Sequence, residues 1–134
     1  SIYDARLWRP GAAAPLSADD YAGRDFALEL IYARRLSGEG IADRSIEEMR
    51  RLDRFDEARA EAWRAAMRAA FPDVQSGERL VGVNRAGRGA RFLHQGRPTG
   101  EVAEAEFARL FFGIWLSPRG AEPALRAALL GTGG

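Results

Sequence analysis

Residues 107–118, FARLFFGIWLSP, constrain the fold of this chain more than any other stretch. Apolar residues recur there at the spacing of one face of an α-helix: Phe107, Leu110, Phe111, Ile114 and Trp115. Burying one such large side chain is worth roughly 1.5–3 kcal/mol, so three aromatic rings on one stripe require a broad apolar partner. Phe112 lies off the stripe, which indicates that other parts of the chain cover this helix on a second side as well. Pro118 should end this core helix.

Composition limits the classes of function that remain. The 134 residues suit one domain, and 46% hydrophobic with 29% charged residues is typical of a globular protein. A net charge of +1 gives no overall field that favours nucleic acid or anionic membranes. The absence of cysteine excludes disulfides, thiolate catalysis and cysteine-ligated metals. No apolar run approaches the ~20 residues that span a bilayer, and the start lacks the pattern of a signal peptide.

The remaining patterns predict both strands and helices. Period-two alternation and turn residues predict strands over residues 1–9, 25–33, 79–84 and 89–94, with a brief extended piece before Gly100. Helices are predicted over residues 37–52, with Ser37 as N-cap, and over 55–70 and 122–130. This order predicts an α+β fold, an antiparallel β-sheet packed on one face by a layer of α-helices.

The second predicted helix has a stripe that we expect to face the core. It consists of Phe55, Arg59, Ala62, Trp63, Ala66, Met67 and Ala70.

Few residues carry obvious chemistry. His94 is the one histidine, so a histidine-based metal site or triad is not expected, and the imidazole should be exposed or locally hydrogen-bonded. The sequence Gly87-Arg88-Gly89 lacks the spacing of a phosphate loop and predicts a hairpin turn. No cofactor is expected. The polar strand residues best placed to face a cleft are Tyr3, Arg6 and Tyr32.

Four segments together resemble the bacterial chalcone isomerase-like proteins. They are SIYDARLW, FALELIYARRLSGEGIADRSIEEMRRL, the run from Trp63 to Phe71-Pro72-Asp73-Val74, and GEVAEAEFARLFFGIWLSPRGAEPALRAALLG. The resemblance implies an open-faced β-sandwich with a pocket between sheet and helices. In plant enzymes of this fold that pocket closes a chalcone to a flavanone, and in relatives it holds a fatty acid. The resemblance also implies a periplasmic or exported protein.

The catalytic positions of the plant enzymes are not matched. SIYDARLW resembles their threonine-bearing strand, which implies that the arginine-bearing strand lies upstream of Ser1 and that this single domain, residues 1–134, lacks it. Where the enzymes carry a tyrosine and an asparagine, the helices here offer Trp63 and Met67, and the one asparagine is Asn84. No catalytic residue is therefore assigned.

These considerations lead to three hypotheses. The first is a non-catalytic protein that binds a small apolar or fatty-acid-like ligand in a pocket with few polar groups. That pocket would be lined by Ser1, Tyr3, Leu7, Leu28, Leu30, Trp63, Met67 and Phe111. The second is a chalcone isomerase-type enzyme in which Arg6 or Arg34 supplies the missing charge. The third is a structural or interaction protein with a filled core. An N-terminal strand without its neighbour could also pair with a second copy.

Overall fold

The structure, a computed structural model, describes residues 2–11, 13–120 and 122–131. The strands are β1 (Tyr3–Trp8), β2 (Phe26–Tyr32), β3 (Arg79–Arg85), β4 (Gly89–His94) and β5 (Arg97–Val102). The helices are α1 (Gly38–Leu52), α2 (Glu57–Ala70), α3 (Ala105–Leu116) and α4 (Pro123–Leu130), and a 3-10 turn spans Tyr21–Gly23.

The strands form one antiparallel sheet in the order β1-β2-β3-β4-β5, so β1 and β5 are its edges. The predicted α+β fold with an antiparallel sheet is confirmed. β5 is longer than the predicted extended piece, because Pro98 and Gly100 mask its strand pattern. An edge strand tolerates this proline. Gly100 leaves room for α2, since a Cβ at this position would lie only 3.0 Å from the Cβ of Ala70.

Alternation along the strands gives the sheet one face toward the helices. On β2 the residues Phe26, Leu28, Leu30 and Tyr32 are all buried. Ala5 of β1 lies opposite Leu30, so the helix-facing set continues across the β1–β2 pair. The opposite face carries the alternating set of β1, namely Asp4, Arg6 and Trp8, all of which are exposed.

α3 is the centre of the helical layer, as its aromatic stripe predicts. Phe107 and Phe112 have no exposed surface, and Phe111 and Trp115 are buried. Phe112 packs edge-on against Phe26 with ring centroids 4.9 Å apart. A Cβ at Gly82 would lie only 3.0 Å from the Phe112 ring, so this glycine lets the ring approach the sheet. The expected cover on a second side of the helix is confirmed.

The helices α1 and α2 begin at polar caps. The Ser37 side chain accepts a hydrogen bond from the Gly40 N–H at 3.0 Å, as predicted, and Asp56 caps α2.

α2 buries most of the predicted stripe, with two exceptions. Its buried residues are Ala60, Trp63, Met67 and Ala70. The placement of Arg59 and Ala62 on the inner stripe was wrong, since both are exposed. Arg59 instead lies over the Trp63 ring, 5.6 Å from its centroid, and pairs with Glu104 at 3.7 Å. A long cationic side chain can thus cover an aromatic residue while its charge stays in water.

Candidate functional site

A cavity of about 870 Å³ lies between the β1 side of the sheet and the helices α1, α3 and α4. Most of its wall is apolar, because the helix-facing residues of the strands meet the inner stripe of α3 there. The apolar side chains at the cavity include Ala5, Leu28, Leu30, Leu36, Ile41, Leu80, Phe92, Phe111, Ile114, Trp115 and Leu125.

Two tyrosines from neighbouring strands face this cavity. Tyr3 and Tyr32 lie opposite each other in the β1–β2 register, with their rings edge-on and 5.8 Å apart. Trp115 of α3 donates its indole N–H to the Tyr3 hydroxyl at 2.7 Å, which fixes the first ring. Tyr32 is only 3% exposed, and no described residue hydrogen-bonds its hydroxyl. The Tyr32 hydroxyl can therefore still form hydrogen bonds with another group, because no described residue takes them up.

Charged side chains surround the mouth of the cavity. Arg34 follows β2 and Arg44 lies on α1, and neither forms an ion pair with any described residue. Three carboxylates also line the cavity, namely Asp4, Glu48 and Glu122. Glu48 is paired with Arg51 at 3.2 Å, whereas Asp4 and Glu122 form no ion pair with any described residue. The inner wall of the cavity is thus mainly apolar, and its mouth is polar. The cavity holds more polar side chains than the sequence predicted.

Burial keeps both tyrosine hydroxyls protonated. Desolvation raises the pKa of Tyr3 above its ordinary value, while the hydrogen bond from Trp115 opposes the shift; Glu122 raises the pKa and Arg44 lowers it. Desolvation also raises the pKa of Tyr32, and the neighbouring Tyr3 adds to the effect. At neutral pH both groups are therefore hydrogen-bond donors, suited to an acceptor such as a carboxylate and unsuited to the role of general base.

The structure brings together four of the eight predicted pocket residues. Tyr3, Leu28, Leu30 and Phe111 lie at the cavity, and Ser1 is outside the described residues. The other three lie elsewhere. Leu7 is opposite Leu28 toward the far end of β1.

Trp63 and Met67 lie on α2, which packs against β5 at the opposite edge of the sheet from β1. Trp63 is held there by contacts with Phe55 and Phe107 and by a 3.0 Å hydrogen bond to Glu104.

The two arginines considered for charge stabilisation differ in position. Arg34 is at the mouth of the cavity, beyond the end of β2. Arg6 borders the cavity too, but strand alternation puts it on the sheet face opposite to that of Ala5. Sequence reasoning missed Arg44, because alternating charges along α1 resemble an ordinary solvated helix face. Asn84 is remote, since its amide donates to the Arg24 carbonyl at 2.8 Å beyond the other end of β2.

The described part of the chain offers no cluster of His, Cys, Asp or Glu that could hold a metal ion. His94 makes a local hydrogen bond, with Nε2 2.9 Å from Glu78 Oε1, which confirms the predicted local role. None of the described helices combines the length and apolar character required to cross a bilayer.

The tyrosines allow a direct test of this burial pattern. The chain has three, and burial raises the pKa of each, that of Tyr21 to about 12. We expect tyrosinate absorbance of the native chain to appear only above the pH at which the urea-unfolded chain is half titrated, near 10. Because the raised folded-state pKa values stabilise the native state below pH ~10, stability should fall as pH rises further. A native titration that overlays the unfolded one would contradict this burial.

Comparisons with known proteins agree with this architecture. The sequence profile of a family described as chalcone isomerase-like matches residues 3–131. Among solved structures, a fatty-acid binding protein of Arabidopsis thaliana superposes with a TM-score of 0.68 at 13% sequence identity. The match covers 89% of this chain and 67% of the plant chain, and at this identity it speaks to fold alone. A sequence search of functionally characterised proteins finds no match.

Proposed function

Because this chain belongs to the chalcone isomerase-like family, we propose that it binds a fatty-acid-like monocarboxylate between sheet and helices, without catalysis. The observation that carries the proposal is the composition of the cavity. An apolar interior of about 870 Å³ lies within the size range of small-molecule sites. Tyr32 inside the cavity and the arginines Arg34 and Arg44 at its mouth offer donors that no described residue pairs. The fatty-acid binding of the structurally similar plant protein is in keeping with this ligand class.

Each part of such a ligand has a counterpart in the site. An acyl chain removed from water gains roughly 0.8 kcal/mol per buried CH₂, and the wall formed by Leu28, Leu30 and Phe111 supplies the apolar surroundings. A carboxylate accepts charge-assisted hydrogen bonds from guanidinium groups. The protonated Tyr32 hydroxyl adds a neutral donor.

Extraction of the purified protein tests the proposal without assuming a particular acid. We expect mass spectrometry of the organic extract to show fatty acids in near-stoichiometric amount relative to protein. An extract empty of apolar carboxylates, from protein that also fails to take up palmitate, would contradict the proposal.

An isomerase function is less well supported by the cavity. The tyrosines there are held protonated, and Asn84 lies at the other end of the sheet. We expect no conversion of naringenin chalcone above the rate in buffer. A rate that is saturable and lost in an Arg34→Ala variant would favour the enzyme instead. The open cavity likewise argues against a structural protein with a filled core.

We further propose, from the resemblance to bacterial family members, that the protein acts in the periplasm. Fractionation of the producing cells would test this, and recovery in the cytoplasm alone would contradict it.

We also propose that the exposed edge of β1 pairs with a second copy of the chain.

A further inference from the structure

Aromatic rings close the inner end of the cavity, and we propose that they limit the ligand to acyl chains of about 16 carbons or fewer. This end wall consists of Phe92 on β4 and Phe112 on α3, with Gly82 of β3 facing both rings. The inference rests on the proposed binding of fatty acids and specifies their length. It concerns the central strands of the sheet, at the opposite end of the cavity from its charged mouth.

The residues that border the cavity stop at one row of the sheet. That row consists of Leu28, Gly82 and Phe92, which lie side by side on β2, β3 and β4. The next row on the helix-facing side is buried and does not border the cavity; it consists of Phe26, Asn84 and Ala90. The cavity therefore ends at the row of Leu28, in the middle of the sheet.

Packed rings hold the end wall in place. Phe112 packs edge-on against Phe26, with centroids 4.9 Å apart, and against Phe111 at 5.2 Å. Phe92 packs edge-on against Phe71 at 4.9 Å. Both rings of the end wall are buried. A chain that reaches beyond the row of Leu28 would therefore have to displace a closely packed core ring.

Strand geometry gives the length of chain that fits. Tyr32 and Arg34, which offer donors to a carboxylate, lie four and six residues along the chain from Leu28. At about 3.4 Å per residue, these separations are roughly 14 and 20 Å, and the second is an upper bound because Arg34 lies beyond β2. An extended acyl chain advances about 1.3 Å per carbon, since its C–C bonds are about 1.5 Å long. The cavity therefore takes roughly 11–16 carbons.

A series of saturated straight-chain acids, from decanoate through palmitate to arachidate, tests the inference. Competition against radiolabelled palmitate on the delipidated protein gives the relative affinities. We expect affinity to rise from decanoate to palmitate, because each further CH₂ leaves water. Arachidate should bind about tenfold more weakly than palmitate, since the end wall leaves its last carbons no room.

Two variants should move this limit in opposite directions. Phe112→Leu removes part of a ring beyond Gly82, so arachidate should bind as well as palmitate. Gly82→Ala adds a Cβ that would lie 3.0 Å from Phe112 and 3.4 Å from Phe92, at the end of the cavity. This variant should weaken palmitate about tenfold and leave decanoate unchanged. Phe55→Leu is the control, because Phe55 contacts Trp63 and does not border the cavity.

Thermal melts must accompany these variants, because Phe112 is a core residue. If Phe112→Leu does not fold, Gly82→Ala tests the limit by itself. An affinity that keeps rising through arachidate would overturn the inference, as would a limit that stays at palmitate in Gly82→Ala. Failure of the proposed function gives a different result, since radiolabelled palmitate would then not bind at all.

Discussion

Replacing Phe112 with alanine should lower the free energy of unfolding by about 3–5 kcal/mol, the usual cost of removing a fully buried phenylalanine. Phe112 has no exposed surface and packs against Phe26 of the sheet and Phe111 of its own helix. Gly82 lies directly beneath the ring and cannot fill the space left behind. Urea denaturation, with the midpoint and slope compared between variant and wild type, measures this loss.

Phe55→Ala is the matched control, because it makes the same chemical change at a half-buried position. Phe55 precedes α2 and contacts Trp63 with ring centroids 5.2 Å apart. We expect this variant to lose only about 1 kcal/mol, the typical effect of a single substitution. Equal losses for Phe55→Ala and Phe112→Ala would mean that α3 is not the centre of the core.

Removing both arginines at the cavity mouth should weaken palmitate binding about tenfold to a hundredfold. Each charge-assisted hydrogen bond contributes about 1.5–3 kcal/mol, and water will replace part of that in an open mouth. The variant is Arg34→Ala/Arg44→Ala, and titration calorimetry of the delipidated protein gives the affinity. Tyr32→Phe should cause a further loss of several-fold, because it removes one neutral donor.

Arg35→Ala is the control for this experiment. Arg35 is next to Arg34 in sequence, but it bonds Gln75 at 3.2 Å and does not line the cavity. Its loss should leave palmitate affinity unchanged. A similar drop for Arg35→Ala would indicate a general effect of net charge, and an unchanged affinity in the double variant would place the carboxylate elsewhere.

Much of the fold could be predicted because its signals are local. The stripe from Phe107 to Trp115 and the alternation from Phe26 to Tyr32 each determine which side chains are buried, whatever the rest of the chain does. β5 was only partly predicted, since Pro98 and Gly100 have low strand propensity. Pairing with β4 and contact with α2 stabilise the strand despite these two residues.

The candidate site was harder to predict, because it depends on which elements become neighbours. Trp63 has the apolar character of a pocket residue, yet α2 lies over β5, and its ring is enclosed by Phe55 and Phe107. The pattern around Arg44 is that of a solvated helix face, and only the fold shows that α1 borders the same cavity as β1 and β2. Strand register alone could identify the Tyr3–Tyr32 pair once the two strands were known to be adjacent.

Titration of the delipidated protein with palmitate and with its methyl ester, followed by tryptophan fluorescence, tests the central claim most directly. Trp115 lines the cavity and bonds Tyr3, so it reports ligand entry, whereas Trp63 is enclosed away from the cavity. An apolar cavity with a carboxylate-binding mouth predicts saturable binding of palmitate. The methyl ester should bind with an affinity lower than that of palmitate by about tenfold or more. Equal affinity for the two compounds, or no response to either, would contradict it.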